Sequence, residues 1–120
     1  DWLITMDCDE QHEPALIPEF LAAAARDDHD IISGSRYLRV FQGDDMPPPD
    51  RRRINMRITQ MLNERLCLSI TDAFCGYKAY RTESLRKLQI TVPGYAIFNA
   101  ELRTLSAECS CRTDCNLPAA

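Results

Sequence analysis

The stretch Thr5-Met6-Asp7-Cys8-Asp9-Glu10-Gln11-His12-Glu13-Pro14 constrains this chain more than any other. The apolar run Trp2-Leu3-Ile4 leads directly into two aspartates one residue apart, and Pro14 follows at a position suited to the first turn of a helix. Residues 2–6 read as a short buried strand, so both carboxylates fall at its carboxyl end. Charges placed there are costly unless something compensates them. A divalent cation that prefers oxygen ligands, Mg²⁺ or Mn²⁺, is the natural compensator. In open α/β sheets, ligands bind outside the carboxyl ends of the strands. This segment is therefore expected to form a corner that holds a metal and an anionic ligand.

The rest of the chain extends that frame. Leu16, Ile17, Phe20, Leu21 and Ala24 recur at helical spacing and predict one apolar helix face. Asp30 to Tyr37 read as a second strand whose ligand-facing end is Gly34-Ser35-Arg36. Strand, helix and strand at this spacing predict a βαβ unit and a mostly parallel sheet with flanking helices. Residues 38–50, with three consecutive prolines at 47 to 49, predict a loop over the site. Asp50 is placed as the N-cap of a helix over 51–67, with an apolar stripe of Ile54, Ile58, Met61, Leu62 and Leu66. Its first turn is Arg51-Arg52-Arg53, and positive charge there opposes the helix dipole. A docked anion reverses the sign of that cost; the alternative is a solvated basic turn that Asp50 partly offsets. Gly76 predicts a close approach of the backbone or a special dihedral. Tyr77 to Tyr80 read as a strand, Glu83 to Leu88 as a short helix and Pro93-Gly94 as a turn. A last helix carries Ile97, Phe98, Leu102 and Leu105, with Glu101 inside it. Residues 109–120 show neither period and are expected to form an irregular tail.

Composition narrows the function class. The 120 residues carry 14 basic and 18 acidic side chains, a net charge of −4, so no global basic field points to nucleic acid. No apolar run approaches the length of a membrane span. The absence of a starter Met and the abrupt entry into a strand suggest a portion of a longer domain. Of six cysteines, Cys8, Cys67 and Cys75 are scattered, while Cys109, Cys111 and Cys115 cluster. Free thiols are the expectation, because the chain is not a small loop-rich scaffold and the cluster lacks the second half of a metal site.

Five ordered segments together resemble a known family. They are Met6 to His12 with Pro14, Ile32 to Tyr37, the arginine-led helix over 51–67, Asp72 to Arg81, and Gly94-Tyr95 followed by Asn99-Ala100-Glu101-Leu102. Over residues 2 to 108 the chain resembles the family-2 glycosyltransferases of GT-A fold, of the dolichyl-phosphate mannose synthase or polyprenyl-phosphate glycosyltransferase type. The resemblance implies a partial GT-A, Rossmann-like α/β fold over residues 1–108. The preceding base-binding part of such enzymes has no counterpart here.

The resemblance also assigns roles. Asp7, Asp9 and Gln11 match the residues that hold the metal, Mg²⁺ or Mn²⁺, and the donor diphosphate, with Asp9 and Asp72 as the catalytic candidates. Arg36 matches an arginine that binds an acceptor phosphate. Arg51 and Arg52 are both candidates for a second arginine contact, and Asn55 for a further donor. Asp72 either orients the sugar or a basic residue, or serves as a cap. Glu101 either faces the site or pairs on the surface. Tyr37, Tyr77 and Tyr95 are expected to pack, and His12 and His29 to stay outside the chemistry. The implied reaction is inverting transfer of a hexose from a nucleotide diphosphate sugar, GDP-mannose or UDP-hexose, to a polyprenyl phosphate at the cytosolic face of a membrane. Its rivals are the same fold acting on a glycan hydroxyl, with Asp72 or Glu101 as base, and a non-catalytic interaction module.

Overall fold

A computed structural model describes residues 1–8, 12–38, 48–87 and 115–118. Strand β1 spans Trp2–Thr5, followed by a single 3₁₀ turn, Pro14–Leu16, and helix α1, Ile17–Ala25. Strand β2 spans Ile31–Ser35, helix α2 Pro49–Leu66, strand β3 Lys78–Arg81, helix α3 Thr82–Leu85 and strand β4 Cys115–Pro118. The strand order is β1-β3-β2-β4.

The architecture is α/β, and the expectation of a mostly parallel sheet is corrected. Strand β3 pairs antiparallel with both β1 and β2, and only β2 and β4 pair in parallel. The strand–helix–strand unit is present, with β1 and β2 running the same way, but β3 lies between them. Hence the carboxyl ends of β1 and β2 share one edge with the start of β3, where Lys78 faces Thr5 on one side and Ser33 on the other. The expected irregular tail is corrected at residues 115–118, which form β4 beside β2. No alternation marks them, because a strand of four residues is too short to display a period.

Strand β2 is buried along its whole length, and adjacent residues face opposite sides of the sheet. Ile32 joins Leu16, Phe20, Ala23, Ala24, Cys75, Tyr77 and Ala79 under α1, whereas Ile31 joins Ile70, Ala73 and Tyr80. Phe20 is fully buried and stacks on Tyr77, with ring centroids 4.4 Å apart. Leu21, expected on the buried face of α1, is exposed, and Ala23 takes its place.

Helix α2 departs furthest from expectation. Ile54 is 58% exposed and Met61 44%, while the buried residues are Asn55 and Thr59. Leu62 of the expected stripe does pack against the Ile31 cluster, but around Asn55 and Thr59 the helix turns a polar face inward because it meets a buried carboxylate, described below. It starts at Pro49, where a missing N–H is no loss, so Asp50 falls inside the first turn instead of capping it. It ends with Cys67 in the left-handed region at φ 52°. The Asn63 side chain holds the exit, donating to Ile70 O at 2.8 Å and accepting from Ile70 N at 3.1 Å. The expected loop tip at 39–47, the turn at 93–94 and the helix around Glu101 lie outside the described residues.

The packing of α1 on the sheet rests most on Phe20. Phe20→Ala is expected to lower unfolding free energy by about 3–5 kcal/mol, read from urea denaturation. A loss below about 1 kcal/mol would contradict a close-packed contact with Tyr77.

Candidate functional site

Two side chains follow directly from the strand ends. Asp7 lies two residues beyond β1 and Arg36 one residue beyond β2. The segment Asp72–Tyr77, which leads into β3, passes beneath both.

At the Asp7 corner, Gly76 makes room for the carboxylate. A Cβ on Gly76 would stand 2.4 Å from Asp7 Oδ2, so only glycine admits Asp7 in this position. This is the close approach expected of Gly76. The Asp7 side chain is 50% exposed, with its oxygens available beyond the end of the sheet. A half-solvated carboxylate resting on backbone suits a hard cation such as Mg²⁺ or Mn²⁺. Among the described residues no three His, Cys, Asp or Glu side chains gather into a metal cluster. The other two expected ligands, Asp9 and Gln11, lie outside the described residues. Of the expected ligands Asp7 alone falls within the described residues, and its setting fits the cation.

At the other corner the Asp72 carboxylate is fully buried. Oδ2 accepts from Arg36 Nε at 2.8 Å and from the Arg36 backbone N–H at 3.3 Å. Oδ1 accepts from Arg36 Nη2 at 3.1 Å, Asn55 Nδ2 at 2.8 Å and the Phe74 N–H at 3.2 Å. Burial pushes the Asp72 carboxyl up, but the bonds from Arg36 and Asn55 and the arginine's charge outweigh burial and hold it below the usual carboxylate range. The same pairing raises the Arg36 guanidinium against the opposing effect of burial.

The network extends outward from this pair. Asn55 also donates to Tyr37 Oη at 3.2 Å, and Thr59 Oγ1 donates to Asn55 Oδ1 at 3.0 Å while accepting from the Ala73 N–H at 3.1 Å. The Arg36 and Arg52 guanidinium carbons lie 5.8 and 5.6 Å from the centroid of the Tyr37 ring. Two cations therefore gather around one phenol at the carboxyl end of β2. Because Asp72 engages Nε and Nη2, the Nη1 edge of Arg36 remains as a donor edge for a further anion.

The structure thus brings together Arg36, Arg52, Asn55 and Asp72, and sets Asp7 at the neighbouring strand end. Arg51 is exposed on the first turn of α2, and no contact ties it to this group among the described residues. Tyr37 packs as expected, with both guanidinium groups near its ring. Thr59 was missed: its polar side chain stands four residues after Asn55, on the same helix face, and that spacing was the available signal. His12 was set aside, yet its ring is buried against the Asp7 corner. Cys75 lies between the corners, and burial, reinforced by the Asp72 charge, pushes its thiol up to about 11. Among the described residues Cys8, Cys67 and Cys75 are free thiols, as expected.

Comparison with known proteins places this geometry in context. The model of the family described as "Glycosyl transferase family 2" matches residues 1–89. An undecaprenyl-phosphate mannosyltransferase of Micrococcus luteus is 34% identical over 91 residues, covering 75% of this chain and 36% of the relative. A dolichyl-phosphate hexose transferase of Haloferax volcanii is 27% identical over 89 residues, covering 74% of this chain and 37% of the relative. The chain therefore spans little more than a third of the length of these curated relatives.

Because the folded state holds the Asp72 carboxyl below its usual range, its contribution to stability is complete above that range. The contribution is lost as pH falls through the depressed folded-state value. Asp72→Asn leaves Arg36 without its counter-charge and is expected to cost about 3–5 kcal/mol at neutral pH. The stability gap between wild type and variant, followed by urea titration from pH 7 downward, should narrow once pH drops below the carboxylate range. A gap independent of pH would refute the buried ion pair.

Proposed function

This chain belongs to glycosyl transferase family 2, and from that membership we propose that its parent protein transfers a hexose from a nucleotide diphosphate sugar to a polyprenyl phosphate. The observation that carries the choice of acceptor is the pair of arginines around Tyr37, with Arg36 braced on the buried Asp72. Such a brace fixes the guanidinium plane and leaves its outer edge for a phosphate. Both relatives carry a polyprenyl- or dolichyl-phosphate acceptor in their names.

In this reading Arg36 and Arg52 bind the acceptor phosphate, with Arg51 as a peripheral contributor to the positive field at the start of α2. Asn55 serves the phosphate indirectly. Its two amide hydrogens already go to Asp72 and Tyr37, so it orients the groups that orient the arginine. Asp72 is a positioning residue. A carboxylate that accepts five hydrogen bonds and is held in its ionised form is a poor proton acceptor. That state disfavours Asp72 as the base that a glycan hydroxyl acceptor would need; Glu101, the other candidate, lies outside the described residues. A phosphate is already anionic at neutral pH and needs no base. One of its oxygens forms the new bond to the anomeric carbon from the face opposite the leaving group, and the nucleoside diphosphate departs with the bonding electrons, inverting the centre.

Asp7, Asp9 and Gln11 are assigned to a Mg²⁺ or Mn²⁺ ion, with Asp9 the residue on which turnover most depends. When bound, the ion neutralises charge on the departing diphosphate. A lipid acceptor places the reaction at a membrane surface, proposed to be the cytosolic face. No helix among the described residues is long and apolar enough to cross a membrane.

The test is sugar transfer by the full-length protein from GDP-mannose, and separately UDP-hexoses, to undecaprenyl phosphate. Asp9→Ala is expected to abolish metal-dependent transfer. Arg36→Ala removes a charge-assisted contact worth about 1.5–3 kcal/mol, so kcat/KM for the lipid phosphate should fall by about tenfold or more. Retained turnover in Asp9→Ala would sink the metal assignment, and an unchanged kcat/KM in Arg36→Ala the acceptor assignment. Transfer to a glycan hydroxyl with no consumption of lipid phosphate would overturn the reading as a whole.

A further inference from the structure

The Asp7 backbone N–H points at a side chain and not at the sheet: it donates to His12 Nδ1 at 3.0 Å. An imidazole nitrogen that accepts carries no proton, so the hydrogen of the neutral ring sits on Nε2. Nε2 in turn faces Cys75 Sγ at 3.7 Å and Asp7 Oδ2 at 4.0 Å. The ring also lies against the core. Its centroid is 5.2 Å from that of Tyr77 at an interplanar angle of 30°, Tyr77 stacks on Phe20, and Tyr77 Oη donates to Glu13 O at 3.3 Å. The imidazole is 2% exposed, whereas the Asp7 side chain it touches is 50% exposed.

From this juxtaposition we infer that His12 is a positioning residue that locks Asp7 in place as a ligand. The inference rests on the metal assignment proposed above. The imidazole grips the Asp7 main chain with one nitrogen and aims the other at its carboxylate. Gly76, with no Cβ, lets the same carboxylate rest against the backbone. The stacked rings carry the grip into the α1 core, so the ligand is held by packed structure while its oxygens stay in solvent. The neutral Cys75 thiol gives Nε2–H a soft acceptor that does not compete with Asp7 for a hard cation. Fixing a ligand through a neighbouring hydrogen bond typically changes metal affinity by about 10- to 100-fold.

Two substitutions separate a grip on Asp7 from mere space-filling. In His12→Asn the side-chain oxygen stands where Nδ1 stood and can accept the Asp7 N–H. In His12→Gln the polar atoms reach only the Nε2 position. Two readouts on the full-length protein are needed: hydrogen exchange at the Asp7 amide by NMR without metal, and Mn²⁺ affinity in the presence of GDP or UDP by electron paramagnetic resonance. The wild-type Asp7 amide is expected to exchange slowly. His12→Asn should keep that protection and bind Mn²⁺ within about threefold of wild type, while His12→Gln should lose protection and bind about 10- to 100-fold more weakly. Rapid exchange at Asp7 in the wild type, or equal impairment in the two variants, would overturn the inference. A protected Asp7 amide in a wild-type protein that binds no Mn²⁺ would support the grip and overturn the metal assignment instead.

Discussion

A carboxylate with no exposure to solvent is the constraint on which this structure depends. Burying the Asp72 charge is costly, and the cost is met only by a matched guanidinium and further donors in good geometry. Each donor comes from a different place in the chain: Arg36 from the end of β2, Asn55 from the second turn of α2 and Phe74 from the segment that carries Asp72 itself. Satisfying one acidic group therefore sets the angle at which α2 meets the sheet, which of its faces turns inward and where the guanidinium of Arg36 can point.

The same constraint explains what could be read from the sequence and what could not. The first two strands were legible as short apolar runs and α1 by its helical spacing, because they need only a nonspecific core. Segments 5–14, 32–37 and 72–81 were legible as a family pattern, and the Gly76 contact confirmed a specific reading of one residue. The inward face of α2 was legible only in part: Leu62 packs against the Ile31 cluster as the apolar stripe predicts, but the residues that are buried outright were not announced. Hydrophobic spacing selected Ile54 and Met61, whereas the structure selects Asn55 and Thr59 because a hydrogen-bonding demand from Asp72 outweighs the burial of two aliphatic chains. The demand arises 17 residues away from Asn55, so no local pattern could announce it. The position of β3 was hidden for a related reason: spacing predicts that two strands run in parallel but not whether a third inserts between them.

With Asp72 as a brace, the groups at this edge of the sheet fall into two layers. Asp7 is exposed, and Arg36 and Arg52 are partly so. Behind each stands a less accessible partner, His12 with Gly76 in one corner and Asp72 with Asn55 in the other. The segment 72–77 contributes to both corners, so a shift at Asp72 is transmitted over four residues to the seat of Asp7. The Cys75 sulfur, 3.3 Å from where a Cβ of Gly34 would stand, fills the space between them and leaves little slack.

The insertion of β3 between β1 and β2 has a consequence for how the molecule assembles. The two earlier strands leave the ribosome first, yet neither is hydrogen-bonded to the other. They become neighbours of a common strand only after residues 78–81 exist, and the pairing of Trp2 with Arg81 closes almost the whole of this span. Contacts of such long sequence separation form slowly, because the loop entropy must be overcome before they are rewarded. The strand that joins β1 to β2 is continuous with the segment that carries Asp72 and Gly76. The β1–β3–β2 ladder and the seats of Asp7 and Arg36 thus depend on one stretch of chain, residues 72–81, and a nascent chain that has not reached it has neither.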